Sequence, residues 1–383
     1  MRFENKNNVL RIFLEGEINS YNADSLSNEI DEITNKEKFE KLELDFSRVS
    51  YISSAGLRVV LKLKQKYKNV SVVEASLDIY DIFSMTGFAS IMTVKKALRQ
   101  IYTSGATIVG EGYYSTVYRL NDDTIVKVFN HVDREEQIEK ELALAKEAFM
   151  LGVPTAISYD IVKVGDKYGV CFEMLDCKSL RNVVAENKDK LKDYVQKYVD
   201  LLKKMNSIEC HNPIVPPIKN EYLTKLEDVK DTFTSDQYDK IVKLINSIPD
   251  TNTIVHGDCH FKNILIQNDN FVLIDMETLS IGHPIFELAS LFSAYVGFSE
   301  FNEEESMKFF GIPKEDCVNL YNALIKLYFG KEDHVIKDKI ALLGYINIYR
   351  WYRRHSDDNK TISNYKNRLL ELLDKCDNLD VGI

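Results

Sequence analysis

Along the first hundred residues the apolar positions alternate between two periods. Val9-Leu10-Arg11-Ile12-Phe13-Leu14 is a β-rich run, and from Asn22 the spacing changes. Ala23, Leu26, Ile30 and Ile33 recur three and four apart, which places them on one face of a helix. Leu42-Glu43-Leu44-Asp45-Phe46 alternates as a strand does. A second helix follows, with Leu57, Val60 and Leu61 on one side. Then come a strand at Val70-Ser71-Val72-Val73 and a third helix through Ile79, Ile82 and Phe83. Strand and helix in alternation predict a small α/β layer fold with a mixed sheet.

Beyond residues 101–106, a stretch too short for a free linker, the pattern restarts. Asp123-Thr124-Ile125-Val126-Lys127-Val128-Phe129 reads as a strand with one internal lysine. Alternation puts Ile125, Lys127 and Phe129 on the same side, and a charge between apolar neighbours needs a partner. The next helix begins near Asp133 and carries Ile138, Leu142, Ala145 and Phe149 on one face. At about 100° per residue, Glu141 falls about 60° from Ile138, at the rim of that stripe. Glu141 is therefore the expected partner of Lys127, with Glu139 in reserve. Residues 159–164 and 168–173 read as two more strands, residues 179–184 and 191–205 as helices, and residues 290–380 as helical and rich in aromatics.

With 383 residues the chain has room for two or three globular units. Its formal net charge of -10 argues against sequence-independent nucleic-acid binding. No apolar run approaches the roughly 18–20 residues of a membrane helix, and the N-terminus has no apolar signal core. Six cysteines without CxxC spacing suggest neither zinc nor a disulfide framework. The cytoplasm is the expected compartment.

The densest chemistry lies at His256-Gly257-Asp258-Cys259-His260-Phe261-Lys262-Asn263. Two short β-rich runs around Asn268-Asp269-Asn270 then predict a tight hairpin that returns Asp275 towards Asn263 and Asp258. One carboxylate to orient a hydroxyl, and an amide oxygen with a second carboxylate to hold Mg²⁺, are what phosphoryl transfer needs. Asp-x-x-x-x-Asn has the spacing of the kinase catalytic loop, with Gly257 in place of its Arg. His-Gly-Asp-x-His-x-x-Asn followed by Ile-Asp resembles the aminoglycoside phosphotransferase/choline kinase-like family. Gly282-His283-Pro284-Ile285-Phe286-Glu287-Leu288-Ala289 resembles a further segment of that family, with Glu287 where an Asp is usual.

The resemblance implies a two-lobed α+β protein-kinase-like fold that uses ATP and Mg²⁺. Asp258 would be the catalytic base, Lys127 the clamp on the nucleotide phosphates, Glu141 its positioner, and Asn263 and Asp275 the metal ligands. Gly110-Glu111-Gly112-Tyr113-Tyr114-Ser115-Thr116-Val117 matches a glycine-rich phosphate loop with Ser115 in place of the third glycine. Gly110, Gly112, Ser115, Val117, Ile125 and Lys127 would then bind nucleotide, with Glu173 and Leu175 at the hinge beside the adenine. Glu277 either assists the metal or caps a turn.

In the first hundred residues, Leu14-Glu15-Gly16-Glu17-Ile18, Asp45-Phe46-Ser47-Arg48-Val49, Ile52-Ser53-Ser54-Ala55-Gly56-Leu57 and Thr86-Gly87-Phe88 resemble a STAS domain, the fold of anti-sigma-factor antagonists. In that family a hydroxyl at the start of the second helix is phosphorylated. Ser54 is the first candidate here and Ser53 the second, with helix N-capping as the plain alternative. The expected division is a STAS domain over residues 1–102 and a kinase-like domain over 103–383, with lobes at 103–175 and 176–383. The expected activity is transfer of the γ-phosphoryl of ATP to a hydroxyl of a small molecule, with a protein partner for the STAS domain and no nucleic acid or membrane. In the alternative, the chain is a signalling protein whose kinase-like domain senses nucleotide or phosphorylates the STAS domain.

Overall fold

The computed structural model describes residues 1–112, 115–131, 135–186 and 190–383. Tyr113 and Tyr114 of the glycine-rich loop and Asp133 lie outside the described residues. The chain folds as two compact units, Met1–Ile101 and Tyr102–Ile383. Among the described residues no helix is long and apolar enough to cross a membrane.

In the first unit the strands Arg2–Lys6, Val9–Ile18, Lys41–Ile52, Val70–Ala75 and Thr93–Lys96 lie side by side in sequence order. The first pair is antiparallel and the other three pairings are parallel. The parallel pairings need crossovers, which the helices Ala23–Lys36, Ser54–Lys66 and Leu77–Met85 supply. Strands covered in this way are apolar, and Leu10, Ile12, Leu42, Leu44 and Val72 have no exposed surface. Arg2–Lys6 is a strand that apolar periodicity does not reveal, because most of its side chains face solvent. Its signal is the turn: Asn7 and Asn8 both have positive φ, at 51° and 64°, joining Lys6 to its partner Val9.

The second helix begins as its sequence suggests, and one of the two serines caps it. Ser53, not Ser54, is the N-cap, accepting a hydrogen bond from the Gly56 amide at 3.5 Å. Ser54 is the first helical residue and its side chain is exposed. Gly56 is set by packing, since a Cβ there would lie 2.7 Å from Ile18 Cγ2 and 2.8 Å from Ile52 Cγ1.

In the second unit the strands Thr107–Glu111, Ser115–Arg119, Thr124–Phe129, Lys167–Glu173 and Ser158–Val164 are antiparallel neighbours in that order. The helix Glu135–Met150 packs on this sheet through Ile138. The rest is built around one large apolar core. Helices Leu180–Glu186 and Lys190–Met205 precede the catalytic stretch, and so do Ile218–Glu227 and Ser235–Ser247, two helices beyond those expected. Five further helices, from Ile285–Phe292 to Asn359–Lys375, follow it among the described residues, and the first runs into a π-helical turn at Ser293–Gly297. Tyr345 and Tyr349 are core residues, whereas Trp351 stays 41% exposed.

Candidate active site

The loop after strand Ile254–Val255 is fixed from below by buried polar groups. Glu287 has no exposed surface, and its Oε2 accepts from the amides of His256 at 2.6 Å and Gly257 at 3.2 Å. The Ser290 hydroxyl donates to the Gly257 carbonyl at 2.6 Å, and the Thr278 hydroxyl to that of His256 at 2.7 Å. Gly257 takes φ +79°, and a Cβ there would meet the Thr278 carbonyl oxygen at 3.0 Å. Further along, the Tyr198 hydroxyl donates to the Cys259 carbonyl, and the Tyr295 hydroxyl accepts from the Phe261 amide at 2.8 Å. The His256 ring is wedged between strands: Nδ1 accepts from the Asp258 amide at 3.2 Å, which leaves Nε2 to donate to the Ile274 carbonyl at 3.1 Å.

The hairpin Ile264–Gln267 and Asn270–Leu273 then turns the chain back. Its turn is two residues, Asn268 and Asp269, at φ 48° and 64°; Asn270 is already paired with Gln267. The Ile274 amide donates to the Asn263 carbonyl at 3.0 Å, so Asp275 arrives beside Asn263 as the spacing predicts. Asp275 itself adopts φ 69°, a left-handed conformation that β-branched residues avoid and Asp tolerates.

Lys127 reaches two carboxylates at once, Glu141 at 2.8 Å and Asp275 at 2.9 Å. Burial opposes its charge, but Asp275 and Glu141 outweigh burial and hold the ammonium well above the usual lysine range. Burial also works against Asp275, yet Lys127 keeps that carboxyl below its ordinary value. Glu141 is buried, and its desolvation lifts its carboxyl in spite of Lys127. The Asn263 amide donates through Nδ2 to the Asp258 carboxylate at 3.1 Å and carbonyl at 3.0 Å, which leaves its oxygen directed elsewhere. Burial, and then the charge of Asp275, push Asp258 up to about 7. Its side chain is still 42% exposed. His260 stands 3.4 Å from Asp258 and is pressed down to about 4 by burial, so it is neutral at pH 7.

Lys127, Glu141, Asp258, Asn263, Asp275, Gly112 and Ser115 line one cleft of about 590 Å³. Gly110 and Val117 pair across the adjoining hairpin, and Val117 faces Lys127 in register. Ile125 shares the strand with Lys127 but does not line the cleft. At the hinge, the Glu173 carboxylate accepts from the Ile157 amide at 2.7 Å, and the amides of Glu173 and Met174 donate to Ile157 and Asp123. Glu277 is drawn in too: oxygens of Glu141, Asp275 and Glu277 all lie within 4.8 Å of one another. Burial and Asp275 raise Glu277 to about 7. Carboxylates crowded around one lysine, with a free amide oxygen beside them, are a donor set that fits a hard divalent cation. Asp275, Glu277 and Asn263 would hold it, and it would neutralise phosphate charge.

A second cavity, of about 400 Å³, opens from the same loop. Asp258, His260 and Phe309 line both. Its other walls include Phe298, Glu305, Trp351 and Tyr352.

Residues 105–310 match the model of the phosphotransferase enzyme family. The chain belongs to that family. Residues 1–101 match the STAS domain. Over 85 residues the chain is 38% identical to BtrV of Bordetella bronchiseptica, named as a putative anti-sigma factor antagonist, covering 21% of this chain and 72% of that protein. The phosphotransferase is also similar to a choline/ethanolamine kinase family protein from Mesorhizobium loti, at 13% identity and TM-score 0.48, covering 70% of this chain and 87% of that one. The ADP-bound aminoglycoside phosphotransferase APH(2'')-Ib gives 15% identity and TM-score 0.48, covering 71% and 96%. In the sequence of the phosphotransferase nothing assigns a role to His260, Phe309 or Glu305, and Glu277 stays undecided between two. Two of them carry a signal: Glu277 by its position two residues after Asp275, and His260 as the second histidine of His-Gly-Asp-x-His-x-x-Asn.

Proposed function

We propose that this phosphotransferase moves the γ-phosphoryl of ATP, with Mg²⁺, to a hydroxyl of a small, positively charged molecule, and that its STAS domain regulates this. The observation that carries the reading is Asp258, which belongs to both cavities at once. On one side lie Lys127, Asn263, Asp275 and Glu277, a set suited to phosphates and their metal. On the other lies a pocket whose charged groups are Asp258 and Glu305 alone, with the rings of Phe298, Trp351 and Tyr352 around them. Carboxylates and aromatic faces without a lysine or arginine favour a cation.

In this reading Asp258 orients the acceptor hydroxyl and takes its proton as the oxygen attacks the γ-phosphorus. Lys127 binds the nucleotide phosphates and Glu141 holds its ammonium in place. The metal, bound by Asp275 and Asn263 with Glu277, supplies charge neutralisation. Gly110, Gly112, Ser115 and Val117 shape the phosphate loop, and Ile125, outside the lining of the cleft, would meet the base only at its margin. Leu175 offers a hinge amide, those of Glu173 and Met174 being already committed. The lobes divide as 103–175 and 176–383.

The second reading, that the kinase-like unit phosphorylates the STAS domain, draws on Ser54. Its hydroxyl is exposed because Ser53 does the capping. One experiment separates the two: γ-labelled ATP with a panel of amino alcohols, neutral alcohols and no acceptor. Label on an amino alcohol supports the first reading, and label on Ser54 alone supports the second. Label on neither, with ATP intact, overturns both.

A further inference from the structure

In the STAS unit, at the edge where the strands Lys41–Ile52, Val70–Ala75 and Thr93–Lys96 begin, lies a depression of about 570 Å³. Ser53 and Ser54 follow the other end of Lys41–Ile52, so this is the edge opposite the family's phosphorylation position. Its charged lining is Lys41, Lys64 and Lys68, with no carboxylate among the lining residues. Lys41 is tied to Glu43 at 2.9 Å, and Lys64 donates to the Lys68 carbonyl at 3.0 Å, closing the end of its helix. Lys68 makes no ion pair among the described residues and its side chain is exposed.

A second observation is independent of the lysines. Ser71, 3% exposed, also lines the depression, and its hydroxyl has no hydrogen-bond partner among the described residues. A buried hydroxyl left unpaired is unfavourable, and native structures rarely keep one without water or a ligand to satisfy it. Ser71 shares the lining of the depression with Lys64 and Lys68. A group that accepts from Lys64, Lys68 and this hydroxyl together is an anion with several oxygens, and the volume leaves room for an organic part beside Tyr80.

We propose that this depression binds a small phosphate-bearing anion, a phosphate monoester or free phosphate, held by Lys64, Lys68 and the Ser71 hydroxyl. The site shares no residue with the nucleotide cleft and does not depend on the activity proposed above.

The test is equilibrium dialysis of the full chain against labelled glycerol 3-phosphate and, separately, labelled inorganic phosphate, with Mg²⁺-ADP saturating the kinase cleft. Saturable binding near one per chain that persists under Mg²⁺-ADP is expected; the tighter of the two ligands tells whether an ester or the free ion is the natural one. Lys64→Gln with Lys68→Gln should weaken it about tenfold or more, Ser71→Ala about threefold, and Lys68→Arg less than about twofold, because charge-assisted bonds carry the affinity. The melting curve of each variant establishes that it is folded. Absence of saturable binding, its loss under Mg²⁺-ADP, an unchanged affinity in the double lysine variant, or association only with phosphatidylglycerol vesicles would each overturn the proposal.

Discussion

Asp258 and Asp275 are both aspartates of one cleft, and their surroundings drive them apart. Asp275 is held ionised by Lys127, while burial and Asp275 itself lift Asp258 to about 7. The proposed base works only when deprotonated, so kcat/KM should rise with pH through a midpoint near that value. A flat profile from about pH 5.5 to about 8.5 would remove Asp258 as the titrating base. Asp258→Asn should leave Mg²⁺-ATP affinity within about threefold and lower turnover by about 10²-fold or more, since a general base contributes about that much. Asp275→Asn should instead lose most nucleotide-dependent turnover and weaken Mg²⁺ dependence, read from the metal titration of the rate. Turnover within about twofold of the parent would contradict a metal-ligand role. These residues are legible in the sequence because kinase chemistry fixes their types and spacing. Glu305 and Phe309, one turn apart on the helix Glu304–Phe310, are not, because no kinase motif marks that short helix.

At the scale of elements, two-residue turns decide where strands meet. Asn268 and Asp269 carry positive φ and set the register that delivers Asp275 beside Asn263. Asn268→Val should destabilise the unit by about 1–2 kcal/mol, the strain of a β-branched residue in the left-handed region, measured as a shift of the urea midpoint. An unchanged midpoint would mean the hairpin tolerates another turn. The first unit uses the same device at Asn7 and Asn8. Its alternating strands and helices are readable in the sequence because one face of each is apolar. The strand Arg2–Lys6 is not, since an exposed edge has no apolar side to declare it. The helix Ser235–Ser247 escapes notice for a different reason: its buried residues Tyr238, Ile241, Leu244 and Ile245 do recur at helical spacing, but no kinase motif marks the segment. The start of the helix Ser54–Lys66 is legible only to within one residue, because two adjacent serines have equal capping ability.

For the whole molecule, every nucleotide-site candidate lies in Tyr102–Ile383, a compact unit with its own core. Residues 102–383 alone should therefore fold and show a Mg²⁺-ATP-dependent rise in melting temperature; a folded fragment without that response would make the STAS domain part of the site. Within that unit, Lys127 belongs to the sheet of the small lobe and Asp275 to the turn that follows the hairpin of the large one, 148 residues apart in the chain. Their bond is thus a clasp across the cleft. A divalent ion held by Asp275 would compete for the Oδ1 that Lys127 contacts and would leave the ammonium to the phosphates. Ligand entry and the freedom of the lobes to part would then be one event. Lys127→Met, which removes the clasp, should leave the lobes unpinned at the start, with faster amide exchange along the cleft walls before any nucleotide is added.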